Sequence, residues 1–284
     1  MNILKPLPHS ILRPKPQRLP RPIKVGPKDN RLTLVVGLKC HDAVVLAAET
    51  EESVGITAKR NVYKLDRISG DDWTLVVGGA GDSVIAANAT RRIARGLKDH
   101  NELTDEVLCD VIDDVLAAVH TKYIDTDPTS DGIGLIIGAV TSDNELHLIS
   151  TQKRAFQFQD RYAYAGVGVD LAIYFLDRLY DHSFSWEDAA KVAGFVLMQV
   201  KEASQFCSGE SQIYALQVPP NPRWRSLGSW AVLDIENNCN TLVSSFTEEV
   251  LKELRSFSFA QRIQSGNEYF DYEEEESDDS TPNQ

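Results

Sequence analysis

Few residues in this chain have both the type and the spacing that chemistry needs. The first group is a strand hairpin, TLVVGLKC and AVVLAAET, meeting at the polar pair His41-Asp42. If the loop is His41-Asp42 alone, Thr50 lies opposite Thr33; if it has three residues with a bulge, Glu49 does. Either register puts a carboxylate within one residue of the Thr33 hydroxyl. By itself Thr33 is an ordinary β-branched strand residue. The second group is the run Gly78-Gly79-Ala80-Gly81 ahead of a helical pattern, a place where backbone amides meet anions. It is neither GxGxxG nor GK[ST], and Asp82 beside it repels phosphate. The remaining reactive types are dispersed. Cys40, Cys109, Cys207 and Cys239 form no CxxC pair and read as reduced thiols. His9, His41, His100, His120, His147 and His182 show no zinc-ligand spacing, so neither metal nor cofactor is expected.

The elements that must carry these groups sit between two charged ends. The chain has 284 residues, 42% hydrophobic, with a net charge of −13, enough apolar material for a sizeable core. Residues 1–32 are basic and rich in proline and read as an extended tail or propeptide. Residues 265–284, EYFDYEEEESDDSTPNQ in the main, repel themselves and read as an acidic disordered tail. The folded domain is expected over 33–264. No apolar run reaches the roughly 18 residues of a membrane helix, and the N-terminus lacks an apolar signal core. The reading is therefore a cytoplasmic protein without a membrane partner. An acidic body also argues against nucleic acid.

Both hairpin strands are apolar on both faces, whereas a sheet with one solvated face alternates, so the hairpin is expected between two other layers. WTLVVG is a third strand, followed by helices over 83–98 and 104–123. The pattern then repeats: GIGLIIGAV, the turn Ser142-Asp143-Asn144, ELHLIS, RYAYAG, and helices over 169–181 and 186–206. Strands are expected at QIYALQV, WAVLDI and TLVSSF, with a last helix over about 248–262. Strands, two helices, strands, two helices suit two stacked sheets with helices outside.

From Thr33 to about residue 101 the chain resembles the proteasome family, both its beta and alpha subunits and the related bacterial peptidases. TLVVGLKCHDAVVLAAET is similar to the family's opening hairpin, VGITAKRNVYKL to its lysine-bearing strand, and VVGGAGDSVIAANATRRI to its glycine turn into the first helix. A looser likeness continues through YAGVGVDLAIYFLDRLY and EASQFCSGESQI. The resemblance implies an α+β fold, the four-layer αββα sandwich of N-terminal-nucleophile hydrolases. It also implies cleavage just before Thr33, whose freed α-amine acts as base for its own hydroxyl. An α-amine titrates at roughly 7.7–8, so a useful fraction is neutral at physiological pH. Carried over residue by residue, Lys64 supplies the positive field, Glu49 orients that lysine, the Gly81 amide receives the oxyanion, and Ser208 keeps a supporting role. The specificity-pocket positions fall on Glu52, Val62 and Gly79, a combination that suits a long basic side chain.

Several positions depart from the active pattern. Leu32 stands where glycine usually precedes the threonine, Glu49 replaces an aspartate, and Val167 and Gln205 replace a supporting serine and aspartate. Two readings follow. In the first the chain is a threonine-type peptidase subunit of a self-compartmentalised assembly, acting on proteins or peptides, with an unfoldase as a possible partner. In the second it is a noncatalytic, alpha-like ring subunit that serves as scaffold. Both predict homo- or hetero-oligomeric rings, with the helices at 83–98 and 104–123 contributing contacts.

Overall fold

The computed structural model describes residues 33–54, 58–126, 132–204, 206–219 and 224–256. Strands β1 (Leu34–Lys39) and β2 (Ala43–Glu49) form the opening hairpin. The Cys40 amide donates to the Ala43 carbonyl at 2.9 Å, so the loop is His41-Asp42 alone. Val35 pairs with Ala48, and continuing that register puts Thr33 across from Thr50.

Alternation along this hairpin sorts its side chains into two cores. Leu34, Val36 and Leu38, with Val45 and Ala47, face one way; Val35, Val44, Leu46 and Ala48 face the other. That is why neither strand shows a polar face.

Downstream come a short ribbon, β3 (Glu51–Val54) and β4 (Ala58–Asn61), then β5 (Leu65–Ser69) and β6 (Thr74–Gly81). Helix α1 (Ser83–Leu97) follows directly, its first turn capped by Asp82, whose carboxylate accepts from the amides of Val84 and Ile85. Helix α2 (Asp105–Val119) is capped by Thr104 and prolonged by a π-helical turn, His120–Ile124. Then come β7 (Ile133–Val140), β8 (Leu146–Gln152), β9 (Ala155–Phe158), β10 (Tyr162–Gly166), α3 (Val169–Leu179), α4 (Trp186–Ala203), β11 (Ser211–Gln217), β12 (Trp224–Ser226) and α5 (Ser229–Ser256).

Two antiparallel five-stranded sheets result, ordered β10-β1-β2-β11-β12 and β5-β6-β7-β8-β9. Val35, Val44 and Leu46 meet Val76, Ile136 and Leu148 between them. Helices α1 and α2 cover the outer face of the second sheet, and α3, α4 and the start of α5 cover the first. The architecture is the expected αββα sandwich. No helix among the described residues is long and apolar enough to cross a membrane.

Two expectations about elements are corrected. WAVLDI and TLVSSF are not strands but lie within α5. Their β-branched residues suggest extended chain, yet Val232 and Ile235, one helical turn apart, pack inward, and Ile235 sits against Gly194 of α4, whose missing side chain leaves the room. Tertiary packing overrides local preference here. Secondly, Lys64 is not on a strand but in the link between β4 and β5. The expectations for 1–32 and 265–284, and for Gln205, lie outside the described residues.

Candidate active site

The residues singled out from the sequence converge at one edge of the sandwich, where the start of β1 meets the end of β6. Thr33 is buried there, and its backbone is held by the end of β10, the neighbour of β1 on the side away from β2. The Val167 amide donates to the Thr33 carbonyl at 2.9 Å. Gly166 makes this approach possible: its φ is +111°, and a Cβ at that position would lie 1.6 Å from the Thr33 carbonyl oxygen. Gly166→Ala is therefore expected to cost about 3 kcal/mol or more, combining an unfavourable backbone region with a clash. Urea unfolding measures this, and an unchanged midpoint refutes it.

Lys64 lies at the centre. Its Nζ donates to Thr33 Oγ1 at 2.6 Å, to Glu49 Oε1 at 2.8 Å, and to the Glu51 carbonyl. An ammonium has three donors and no acceptor, and these partners hold it in position beside the threonine hydroxyl. Its backbone is fixed as well, because the Lys64 amide donates to the side chain of Gln212 on β11 at 2.7 Å. Its side chain is 8% exposed and that of Glu49 is fully buried.

Glu49 comes from the last position of β2, and Glu51 N donates to its second oxygen at 2.7 Å. Burial raises the Glu49 carboxyl above its ordinary range; the Lys64 charge and the hydrogen bonds from Lys64 and the Glu51 and Leu34 amides only partly oppose this. The expected lysine–carboxylate contact is present, with glutamate spanning it in place of aspartate.

Ser208 reaches the site through its backbone, its carbonyl accepting from Glu51 N at 3.2 Å. Next to it the Glu210 amide donates to Thr50 Oγ1 at 2.9 Å, which locks this segment onto the residue opposite Thr33. Cys207 is buried alongside, and burial pushes its thiol up to about 12, so it stays a protonated, inert group.

Gly81, Gly79, Val62 and Glu52 line the same cavity as Thr33 and Lys64, so the expected pocket positions are assembled in one place. Gly81 has φ +98°, and a Cβ there would lie 2.5 Å from the Gly132 carbonyl. The expected help from the α1 dipole is weakened, because the Asp82 carboxylate already occupies the helix N-terminus. Sequence reasoning missed Asp66 and Ser83, which also line the cavity. Burial alone would raise Glu52, but hydrogen bonds from Ser83 and Arg60 and the nearby positive charges outweigh it and hold the carboxyl low. Arg60 Nε lies 2.6 Å from Glu52, so part of that negative charge is already balanced. Asp66 is raised by burial, which the Arg91 charge opposes. No motif marks either Asp66 or Ser83; only the folding of β5 and α1 around the cavity brings them in.

Comparison with known proteins gives a consistent picture. The family described as "Proteasome subunit" matches residues 32–216. The chain is 30% identical over 163 residues to proteasome subunit beta 2 of Pyrococcus furiosus, covering 57% of this chain and 75% of that one. It is 25% identical over 224 residues to proteasome subunit alpha of Pyrococcus horikoshii, covering 77% and 80%. Among solved structures, Anbu (ancestral beta-subunit) from Yersinia bercovieri superposes with a TM-score of 0.63 at 14% identity, covering 75% of this chain and 96% of that one. An Anbu (Gly-1) mutant from Hyphomicrobium superposes at 0.66 with 13% identity, covering 78% and 99%. These structural likenesses concern the fold.

Proposed function

The chain belongs to the proteasome subunit family, and from that premise we propose that it is a threonine-type peptidase subunit of a self-compartmentalised protein-degrading assembly, activated by removal of residues 1–32. The observation that carries this reading is Lys64 Nζ, which bonds Thr33 Oγ1 at 2.6 Å and Glu49 Oε1 at 2.8 Å in a nearly dry setting. Burying such a pair is costly, and a role for the ammonium beside a reacting hydroxyl would account for it, although noncatalytic alpha subunits also carry a lysine at this position.

Once the bond before Thr33 is cut, the freed amine accepts the Oγ1 proton and the oxygen attacks the substrate carbonyl. The Lys64 charge stabilises the developing alkoxide, and the Gly81 amide receives the carbonyl oxygen as it becomes negative. The amine then returns its proton to the leaving nitrogen, and water releases the acyl group from Oγ1. Glu49 acts as a positioning residue through Lys64. Glu52 and Asp66 give the pocket negative character, which favours a basic side chain before the scissile bond.

A noncatalytic scaffold is the second reading, and Val167 favours it, because its side chain packs into the core where the family's supporting serine would serve the threonine. Both readings include an oligomer. Trp230, Leu242 and Phe246 project from α5 into solvent, and with the outward faces of α1 and α2 they offer surfaces for neighbouring subunits.

The intact mass of the purified protein separates the two readings. The expected result is loss of residues 1–32, abolished by Thr33→Ala. A full-length chain inert to fluorogenic peptides in its assembled form leaves only the scaffold.

A further inference from the structure

Far from this cavity, the structure gathers three metal-ligating groups that have no role in peptide cleavage. Asp105 is the first residue of α2, Glu145 ends the turn between β7 and β8, and His147 lies on β8. Their ligand atoms all lie within 4.8 Å of one another. His147 Nε2 is 2.8 Å from Asp105 Oδ1 and 3.7 Å from Glu145 Oε2. A zinc ion bound at about 2.0–2.2 Å in tetrahedral geometry holds its ligand atoms about 3.4 Å apart, between those two spacings.

The imidazole carries the argument. His147 is 8% exposed, and its Nε2 is buried without a hydrogen-bond partner. Asp105 is within ion-pair distance at 2.8 Å, yet this approach does not satisfy the ring nitrogen with a hydrogen bond. An orphaned buried polar atom is costly. A cation between the nitrogen and the two carboxylates resolves it.

The surroundings are built to hold such a site. The β7–β8 turn is tied to the chain ahead of α2 by two bonds, from the Leu103 amide to Ser142 Oγ at 2.8 Å and from the Ser142 amide to the Leu103 carbonyl at 3.0 Å. Within the turn, the Glu145 amide donates to Thr141 Oγ1 at 3.1 Å, and Asn144 takes the positive φ of 68° that the tight reversal requires. The His147 ring is held edge-on to Phe158 at 5.2 Å between centroids. The positive end of α2 opposes a cation, but Asp105, Glu145 and the neighbouring Asp143 outweigh a half-charge dipole.

We propose that Asp105, Glu145 and His147 bind one divalent transition-metal ion, zinc being the best match to one nitrogen and two carboxylate oxygens, and that the ion clamps the start of α2 to the β7–β8 turn. The site lies at the opposite end of the second sheet from the peptidase cavity: β7 runs from Ile133, paired with Gly81, to Val140, paired with Thr74. At about 3.3 Å per residue this separates the two sites by more than about 20 Å. The role is structural, and it holds for either reading of Thr33.

The test is zinc titration of the full-length protein after chelator treatment, followed by calorimetry and thermal unfolding. One ion per chain and a rise in Tm on adding zinc are expected. Asp105→Asn with Glu145→Gln changes only half-exposed or exposed carboxylates and leaves the fold intact, so it carries the test; it should weaken zinc binding at least a hundredfold and abolish the rise in Tm. His147→Gln should do the same. Cys109 lies one helical turn beyond Asp105, so Cys109→Ser must retain binding, and cobalt substituted for zinc must show no thiolate charge-transfer band. Equal zinc binding by the wild type and the carboxylate variant, no binding by either, or a thiolate signature overturns the assignment.

Discussion

In a chain begun at residue 33 through an added cleavage site, Thr33→Ala abolishes hydrolysis of basic fluorogenic peptides, with kcat/KM falling by about 10⁴ or more. Starting the chain there matters, because the same substitution blocks self-processing, and the two effects must be read separately. Thr33→Ser keeps the hydroxyl and retains most of the rate. Lys64→Met lowers kcat by about 10²–10³, the range seen when one preorganised electrostatic partner of a reacting oxygen is removed. The proposed mechanism sets the difference in scale: there Thr33 Oγ1 is the reacting atom, whereas Lys64, 2.6 Å away, acts on its charge. On the proposed mechanism, activity is expected to rise with pH through roughly 7.7–8, because the base there is the neutral α-amine of Thr33. Hydrolysis by Thr33→Ala at the parent rate removes Thr33 from the mechanism.

The second large effect is on stability. Glu49→Gln or Lys64→Met, made singly, each leaves a buried charge or strong donor without its partner and costs about 3–5 kcal/mol. The double variant costs less than the sum of the two by about 2–3 kcal/mol, because it removes both members of one interaction. Equilibrium urea unfolding of the four proteins measures the cycle, and additive costs would show that the pair is not coupled.

A pH dependence accompanies it. Burial raises Glu49 above its ordinary value of 4.5 in the native state, so the folded protein holds that proton more tightly than the unfolded chain. The corresponding stability is fully present below 4.5 and is lost as pH rises through the native value, after which it is constant. Glu49→Gln lacks this slope.

The hairpin shows how much of the site could be read directly from the sequence. Its two fully apolar strands required layers on both sides, and the resemblance to the proteasome family singled out Thr33, Glu49 and Gly81, the last of which ends β6 rather than lying in a turn. The register was open between two loop lengths, because both satisfy the same apolar pattern when both faces are buried. The Cys40–Ala43 hydrogen bond decides it. α5 was misread for the opposite reason. Most of its length is solvent-facing, with Leu242 70% exposed, so burial imposes little helical periodicity on its sequence.

What the sequence by itself determined is the layered α+β order, because strand and helix periods are local and survive in the chain; the attention to Thr33 came from the resemblance to the proteasome family. Only the tertiary structure decided which atoms meet. The Val167 amide on Thr33, Gln212 under Lys64, Asp66 in the pocket and the His147 cluster join residues remote from one another in the chain. Such contacts depend on how layers stack and strands register, and no spacing rule along one chain encodes them. Thr33 is singled out by the family resemblance, but its setting, a buried hydroxyl facing an anchored ammonium, belongs to the fold.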